Sequence, residues 1–193
     1  EGDETGKEVV HTIGDSKAQD KKVLIDRFSD FVISDKFVYS PFHRVDREFI
    51  KEIQATKNMF QSLSKKGILL KRTNDVGFLL SKFSKRNHKK MVVIDDEIAY
   101  IGGINFSDHN FSWHDMMMRI HGGNFVKKLK EDFLNTWRGN TQFLQSAENE
   151  NALFLFDGKT NSTHIQKIIN YIKNLEESIY LYSPYITKPF MLS

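Results

Sequence analysis

His88-Lys89-Lys90, then Met91-Val92-Val93-Ile94, Asp95-Asp96-Glu97, Ile98-Ala99-Tyr100-Ile101 and Gly102-Gly103-Ile104-Asn105 form the stretch that decides the fold. Two short apolar runs rich in β-branched and aromatic residues flank a polar turn, which predicts a β-hairpin. If Ile94 faces Ile98, Lys90 lies opposite Gly102 and His88 opposite Ile104, so Asn105 returns toward the histidine. In a strand, positions i and i+2 share a face, so the Lys90 ammonium can reach a phosphate oxygen held beside the His88 imidazole.

The same stretch reads H-x-K-x4-D-x6-G-G-x-N. An imidazole with an ordinary pKa near 6.5 is partly neutral at working pH and can attack phosphorus, which makes His88 a candidate covalent nucleophile. Lys90 would neutralise charge developing on the phosphoryl group. Gly102 and Gly103 are expected to leave room for a phosphate near the backbone, and the Asn105 amide to donate to an anionic oxygen. Asp95 ends the first strand with the opposite parity from His88, so it belongs to the candidate catalytic set as a charge that orients its neighbours rather than as a base. The bland alternative is a surface hairpin whose basic run, Lys85-Arg86-Asn87-His88-Lys89-Lys90, is merely solvated. At roughly one chance in twenty per position, six specified positions match at random on the order of 10⁻⁸ per starting point.

This set resembles the HKD motif of the phospholipase D superfamily. Asp115-Met116-Met117-Met118-Arg119-Ile120-His121-Gly122, followed by Val126, Leu129, Phe133 and Trp137, is similar to the segment after the first motif in cardiolipin synthases. There an acidic residue opens a strand and helps to orient a catalytic histidine, so the resemblance assigns that role to Asp115. It also implies an α/β fold, a phospholipase D-like α-β-α sandwich with a mixed central sheet. The chain would hold one lobe plus the start of a second. The family builds one active site from two motifs, one histidine attacking and the other protonating the leaving oxygen, whereas this sequence has a single H-x-K. The second motif is expected from sequence outside this chain or from a homodimer, and the chain, which begins with Glu1, is expected to be an internal piece of a longer enzyme.

The expected organisation is a polar lead-in at 1–21, a first lobe at 22–140, a linker at 141–151 and an incomplete second lobe at 152–193. A frayed start or remnant helix around Lys7 to His11 precedes a strand at Val23 to Asp26. Asp46 to Lys66 has helical spacing and Gly67 suits its stop, Ile68 to Leu70 reads as a strand, and 121–137 as an amphipathic helix. In the second lobe Leu153 to Phe156 reads as a strand, Ser162 to Glu177 as a helix, and Ile179 to Tyr185 resembles the segment that opens the second lobe of cardiolipin synthases. Met116 to Met118 is expected in a buried strand. Phe106, Phe111 and Trp113 would pack in the core or line a groove for acyl chains or bases, and Ser107 would cap a turn.

The 193 residues, 39% hydrophobic and 27% charged, suffice for one ordinary core. Twenty-eight Lys and Arg against 25 Asp and Glu give +3, a mild excess that suits an anionic membrane or a nucleic acid and demands neither. The absence of cysteine excludes disulfides, zinc-thiolate sites and cysteine catalysis. No run reaches the roughly 18–20 apolar residues of a membrane span, and Glu1 to Lys22 is too polar for a signal peptide. No cofactor or metal is expected, because His109, His114, Asp108 and Asp115 match no usual ligand spacing. The expected activity is that of a phosphatidyltransferase or phospholipase D-type enzyme: a phospholipid phosphodiester is cleaved through a phosphohistidine, and the phosphatidyl group passes to an alcohol or water. Its place would be a membrane surface, the cytoplasmic face or cell membrane, with any anchor outside this chain. The alternative is a homodimeric phosphodiesterase acting on nucleic acid.

Overall fold

The computed structural model describes residues 1–43, 45–78, 81–82, 86–110, 113–140, 146–148, 153–155, 162–174 and 176–180. They belong to two compact units, Glu1–Asn140 and Thr141–Ser193.

The first unit is mixed α/β: α1 (Glu4–Asp15), β1 (Lys22–Asp26), β2 (Val32–Ile33), β3 (Lys36–Phe37), α2 (Arg47–Lys65), β4 (Leu69–Thr73), β5 (Lys90–Ile94), β6 (Ile98–Gly102), β7 (Met117–His121) and α3 (Gly123–Arg138). Strands β1 and β4 pair in parallel, from Lys22 opposite Leu69 to Asp26 opposite Thr73. A parallel pair needs a crossover, and α2 lies within the one that joins these strands. Its start is fixed by Asp46, whose carboxylate accepts from the Phe49 N–H at 3.0 Å. Its end is fixed by Gly67, whose φ of +70° suits a residue without a Cβ.

Strands β5, β6 and β7 form an antiparallel sheet with β6 in the centre. Ile94 faces Ile98 and Lys90 faces Gly102, the expected register. The reversal runs through Asp95 and Asp96 at φ of 50° and 58°, a left-handed conformation that aspartate tolerates better than most residues. Helix α3 is tied to this turn by an ion pair between Lys130 and Asp96.

The lead-in at 1–21, expected to be frayed or to hold a remnant helix around Lys7 to His11, contains a longer, twelve-residue helix, α1, with Asp3 capping the Gly6 N–H at 2.8 Å. Val10 joins Met59, Leu63 and Ile68 in a buried cluster, with Ile13, Val23, Phe60 and Leu70 against it. A narrow apolar stripe in a polar helix was enough for docking, because α2 offers the complementary face. The short β2–β3 hairpin, turning through Ser34 and Asp35 at positive φ, was not expected. Met116 and Met118 are also not buried. They are 75% and 55% exposed, since β7 is an edge strand and no described element covers that face.

Helix α3 buries Phe125, Val126, Leu129, Asp132 and Thr136. Asp132 is 1% exposed and receives the Lys89 ammonium at 2.8 and 2.7 Å. Breaking a buried pair strands the remaining charge, at a cost moderated here because Lys89 retains some solvent contact. Asp132→Asn is therefore expected to lower stability by about 2 kcal/mol, read from the midpoint of urea unfolding at constant slope. A midpoint within error of the unsubstituted chain would refute this.

In the second unit, β8 (Ser146–Glu148) and β9 (Leu153–Leu155) pair antiparallel, and α4 runs over Ser162–Lys173. Strand β8 falls within the stretch expected as a linker, and α4 ends earlier than Glu177. Ile179 and Tyr180 carry no strand, and 181–185, which complete the segment that resembles a second-lobe opening, lie outside the described residues.

Candidate active site

His88 lies two residues before the paired part of β5, and Lys90 is its first residue. Lys90 Nζ stands 2.9 Å from both His88 ring nitrogens and 3.1 Å from the His88 carbonyl oxygen. An ammonium equidistant from two ring nitrogens whose in-plane lone pairs diverge lines up with neither, but its charge disfavours protonation of the ring. Partial desolvation, then the charges of Lys90 and Arg86, hold the His88 imidazole below its ordinary pKa, while Asp26 pulls the other way. Lys90 is likewise held below its ordinary value, first by desolvation and also by Arg86, against the opposing pull of Asp115.

Asp115 comes to the same place from the start of the β7 segment. The Gly103 N–H donates to the Met116 carbonyl at 2.9 Å, and the Met116 N–H donates to Asp115 Oδ1 at 2.8 Å. A Cβ built on Gly103 would meet the Asp115 carboxylate oxygens at 2.0 and 2.4 Å. One on Gly102 would meet the Met116 carbonyl oxygen at 2.2 Å and Met117 Cα at 2.7 Å. The space expected beside these glycines for a phosphate is thus filled by β7 and by Asp115. Absent side chains here let an acidic group approach Lys90.

Asn105 and Asp95 fare differently. Asn105 lies in the loop three residues past the last ladder position, partly buried, with its carbonyl accepting from the Ser107 N–H at 3.0 Å. Its side-chain amide makes no hydrogen bond among the described residues. Asp95 is not brought to the histidine: it is exposed at the far end of β5, seven residues from His88, about 20 Å away at strand rise. Its conformation gives the reason for an aspartate there, a turn position that disfavours most side chains.

Two anchors were not evident from the sequence. Asp26 Oδ2 accepts the Asn87 N–H at 2.6 Å and Asp26 Oδ1 the Phe28 N–H at 2.8 Å. Arg86 lies 3.6 Å over the Phe28 ring. These residues are about sixty positions apart, and only a conspicuous acid at a strand's end could have hinted at the link. The loop residues considered for a metal go to separate partners. Asp108 accepts from Glu4 and Thr5 amides, and His109 Nε2 lies 3.1 Å from Asp35. Among the described residues no three His, Cys, Asp or Glu side chains converge, and no helix is long and apolar enough to cross a membrane. Ser107 is buried and its hydroxyl donates to Asn110 Oδ1, closing the loop as expected of a turn cap. Phe106 and Trp113 are exposed, and Phe111 lies outside the described residues.

Residues 7–137 match the family model described as cardiolipin synthase, PLD-like domain. The chain is 27% identical over 152 residues to a cardiolipin synthase of Listeria welshimeri, covering 67% of this chain and 31% of that protein. A cardiolipin synthase of Listeria innocua is 26% identical over the same shares of the two chains. Cardiolipin synthase 2 of Staphylococcus epidermidis is 26% identical over 125 residues, covering 54% of this chain and 25% of that protein. The chain thus spans about a third of the length of the curated relatives it matches. No solved structure matches it.

Proposed function

Because the chain belongs to the PLD-like domain family of cardiolipin synthase, we propose that it is one lobe of a phosphatidyltransferase that works through a phosphohistidine at a membrane surface. The observation that carries this is the Lys90 ammonium against the His88 imidazole, which favours the neutral ring a nucleophile needs. A ring nitrogen of His88 attacks phosphorus, the bond to the leaving alcohol breaks, and that oxygen takes a proton from the histidine of a second motif, supplied by further sequence or by a second copy. An acceptor hydroxyl, or water, then gives its proton to that histidine and displaces the imidazole, which leaves with its electron pair. Lys90 faces the developing phosphoryl charge, Asp115 holds Lys90 protonated, and the Asn105 amide donates to a phosphoryl oxygen. We further infer that the strands of the first unit belong to the mixed central sheet of an α-β-α sandwich. The relatives are lipid enzymes by name, and nothing observed favours the nucleic-acid alternative.

The test is to quench the complete protein during turnover of a phospholipid carrying a labelled phosphate and to map the label by mass spectrometry. Label on the peptide containing His88, or on the partner histidine with His88 required for its removal, supports the reading. A competent turnover with no labelled histidine would overturn it.

Lys90→Ala should lower kcat by about 10²-fold, the usual loss when one charge-stabilising donor is removed. It should also move the acid limb of the rate profile. With His88 held below its ordinary pKa, the neutral nucleophile persists to lower pH than for a free imidazole. Removing the Lys90 charge lets the His88 value rise, so the limb shifts to higher pH. A reduced rate with an unmoved limb would show that Lys90 does not act on His88.

A further inference from the structure

Along the strand direction His88 and Lys90 project to one side, while Asn87 and Lys89 project to the other. Both neighbours of the histidine are held by carboxylates, one at its amide and one at its side chain. The Asn87 N–H reaches Asp26 Oδ2 at 2.6 Å, at the end of β1. The Lys89 ammonium reaches both oxygens of the buried Asp132, on α3. The other oxygen of Asp26 is fixed by the Phe28 N–H, and Arg86 stacks on Phe28, so the entry to the motif is tied to the same turn. Asp26, Asn87, Lys89, Asp132, Phe133 and Thr136 are among the residues that line one cavity of about 90 Å³.

We propose that Asp26 and Asp132 act as an acidic clamp that positions His88, Asp26 through the amide before it and Asp132 through the side chain after it. The inference rests on the reading of His88 as a reacting group. Both carboxylates are positioning residues and neither touches substrate. Asp26 has a second effect because it is the negative charge that acts on the ring: Arg86 and Lys90 face His88 from its own segment, Asp26 faces it from β1, and Asp115 from the β7 segment acts on Lys90. A residue that served only to stabilise the fold would leave the histidine's titration where it was.

The experiment is nuclear magnetic resonance on the full chain, with the His88 ring assigned by comparison with His88→Gln. In the unsubstituted chain the Asn87 amide should be protected from hydrogen exchange relative to the exposed Asp95–Asp96 turn. In Asp26→Asn, whose single carbonyl oxygen cannot serve both the Asn87 and the Phe28 N–H, that protection should weaken and the His88 titration midpoint should fall. An unprotected Asn87 amide in the unsubstituted chain would sink the clamp, and so would an unchanged His88 midpoint in folded Asp26→Asn. If Asp26→Asn does not fold, the exchange rate of Asn87 in the unsubstituted chain decides the matter. No turnover is read, so a failed clamp leaves the phosphohistidine reading standing. The labelling experiment above would fail on its own terms.

Discussion

His88→Ala in the complete enzyme is expected to abolish phosphatidyl transfer, a loss on the order of 10⁴-fold or more, while leaving the fold intact. The fold should survive because His88 is exposed and its contacts are with Lys90, itself at the edge of the site. Truncating such a side chain changes stability by about 0.5 kcal/mol or less, which thermal unfolding can check. The activity should not survive, because no other described histidine stands beside Lys90. The leaving group then separates the two roles a motif histidine can take. A nitrophenyl phosphodiester departs without a proton, so a histidine that acts only as the acid becomes dispensable for it, whereas a nucleophile does not. Loss on both substrates assigns attack to His88; loss on the lipid alone assigns protonation. Full activity on the lipid in a folded His88→Ala protein would remove His88 from the mechanism altogether.

The parts of this structure that were legible in the sequence are those set by local chemistry. The hairpin register follows from two apolar runs around Asp95-Asp96-Glu97, and the extent of α2 from the helical spacing of Asp46 to Lys66 and the stop at Gly67. The pairing of His88 with Lys90 follows from strand parity, and the nearness of Asp115 came from family resemblance. What was not legible depends on contacts distant along the chain. Val10 and Ile13 gave too thin a stripe to show that α1 docks on α2. The exposure of Met116 and Met118 depends on β7 being an edge strand, which its own composition does not reveal. Asp26 and Asp132 bond to the motif at Asn87 and Lys89, sixty-one and forty-three positions away in the chain. The two glycines show how a correct residue choice can carry a mistaken reason. Their place beside Lys90 was legible, but the group that needs the room is Asp115 and its backbone rather than a phosphate.

That reassignment makes Gly102→Ala the substitution with the largest expected effect on stability. The new methyl group would lie 2.2 Å from the Met116 carbonyl oxygen and 2.7 Å from Met117 Cα, and both are backbone atoms of the paired strand. A flexible side chain could swing aside, but a ladder partner cannot move without breaking the β6–β7 register from Ile98 opposite His121 to Gly102 opposite Met117. Overpacking usually costs about 1–3 kcal/mol where side chains can adjust, so a collision with fixed backbone should cost more, about 4 kcal/mol. The atoms nearest a Cβ on Gly103 are those of the Asp115 carboxylate, the movable end of a side chain, so Gly103→Ala should cost about 1–2 kcal/mol. Its larger consequence would be functional: the displaced Asp115 no longer supports Lys90, so the Lys90 pKa should fall further and transfer should weaken. Denaturant unfolding of the two variants side by side checks the order. If Gly103→Ala proves the more damaging to stability, the close approach that matters is to the acid rather than to the strand, and β7 is held by Asp115 more than by its ladder.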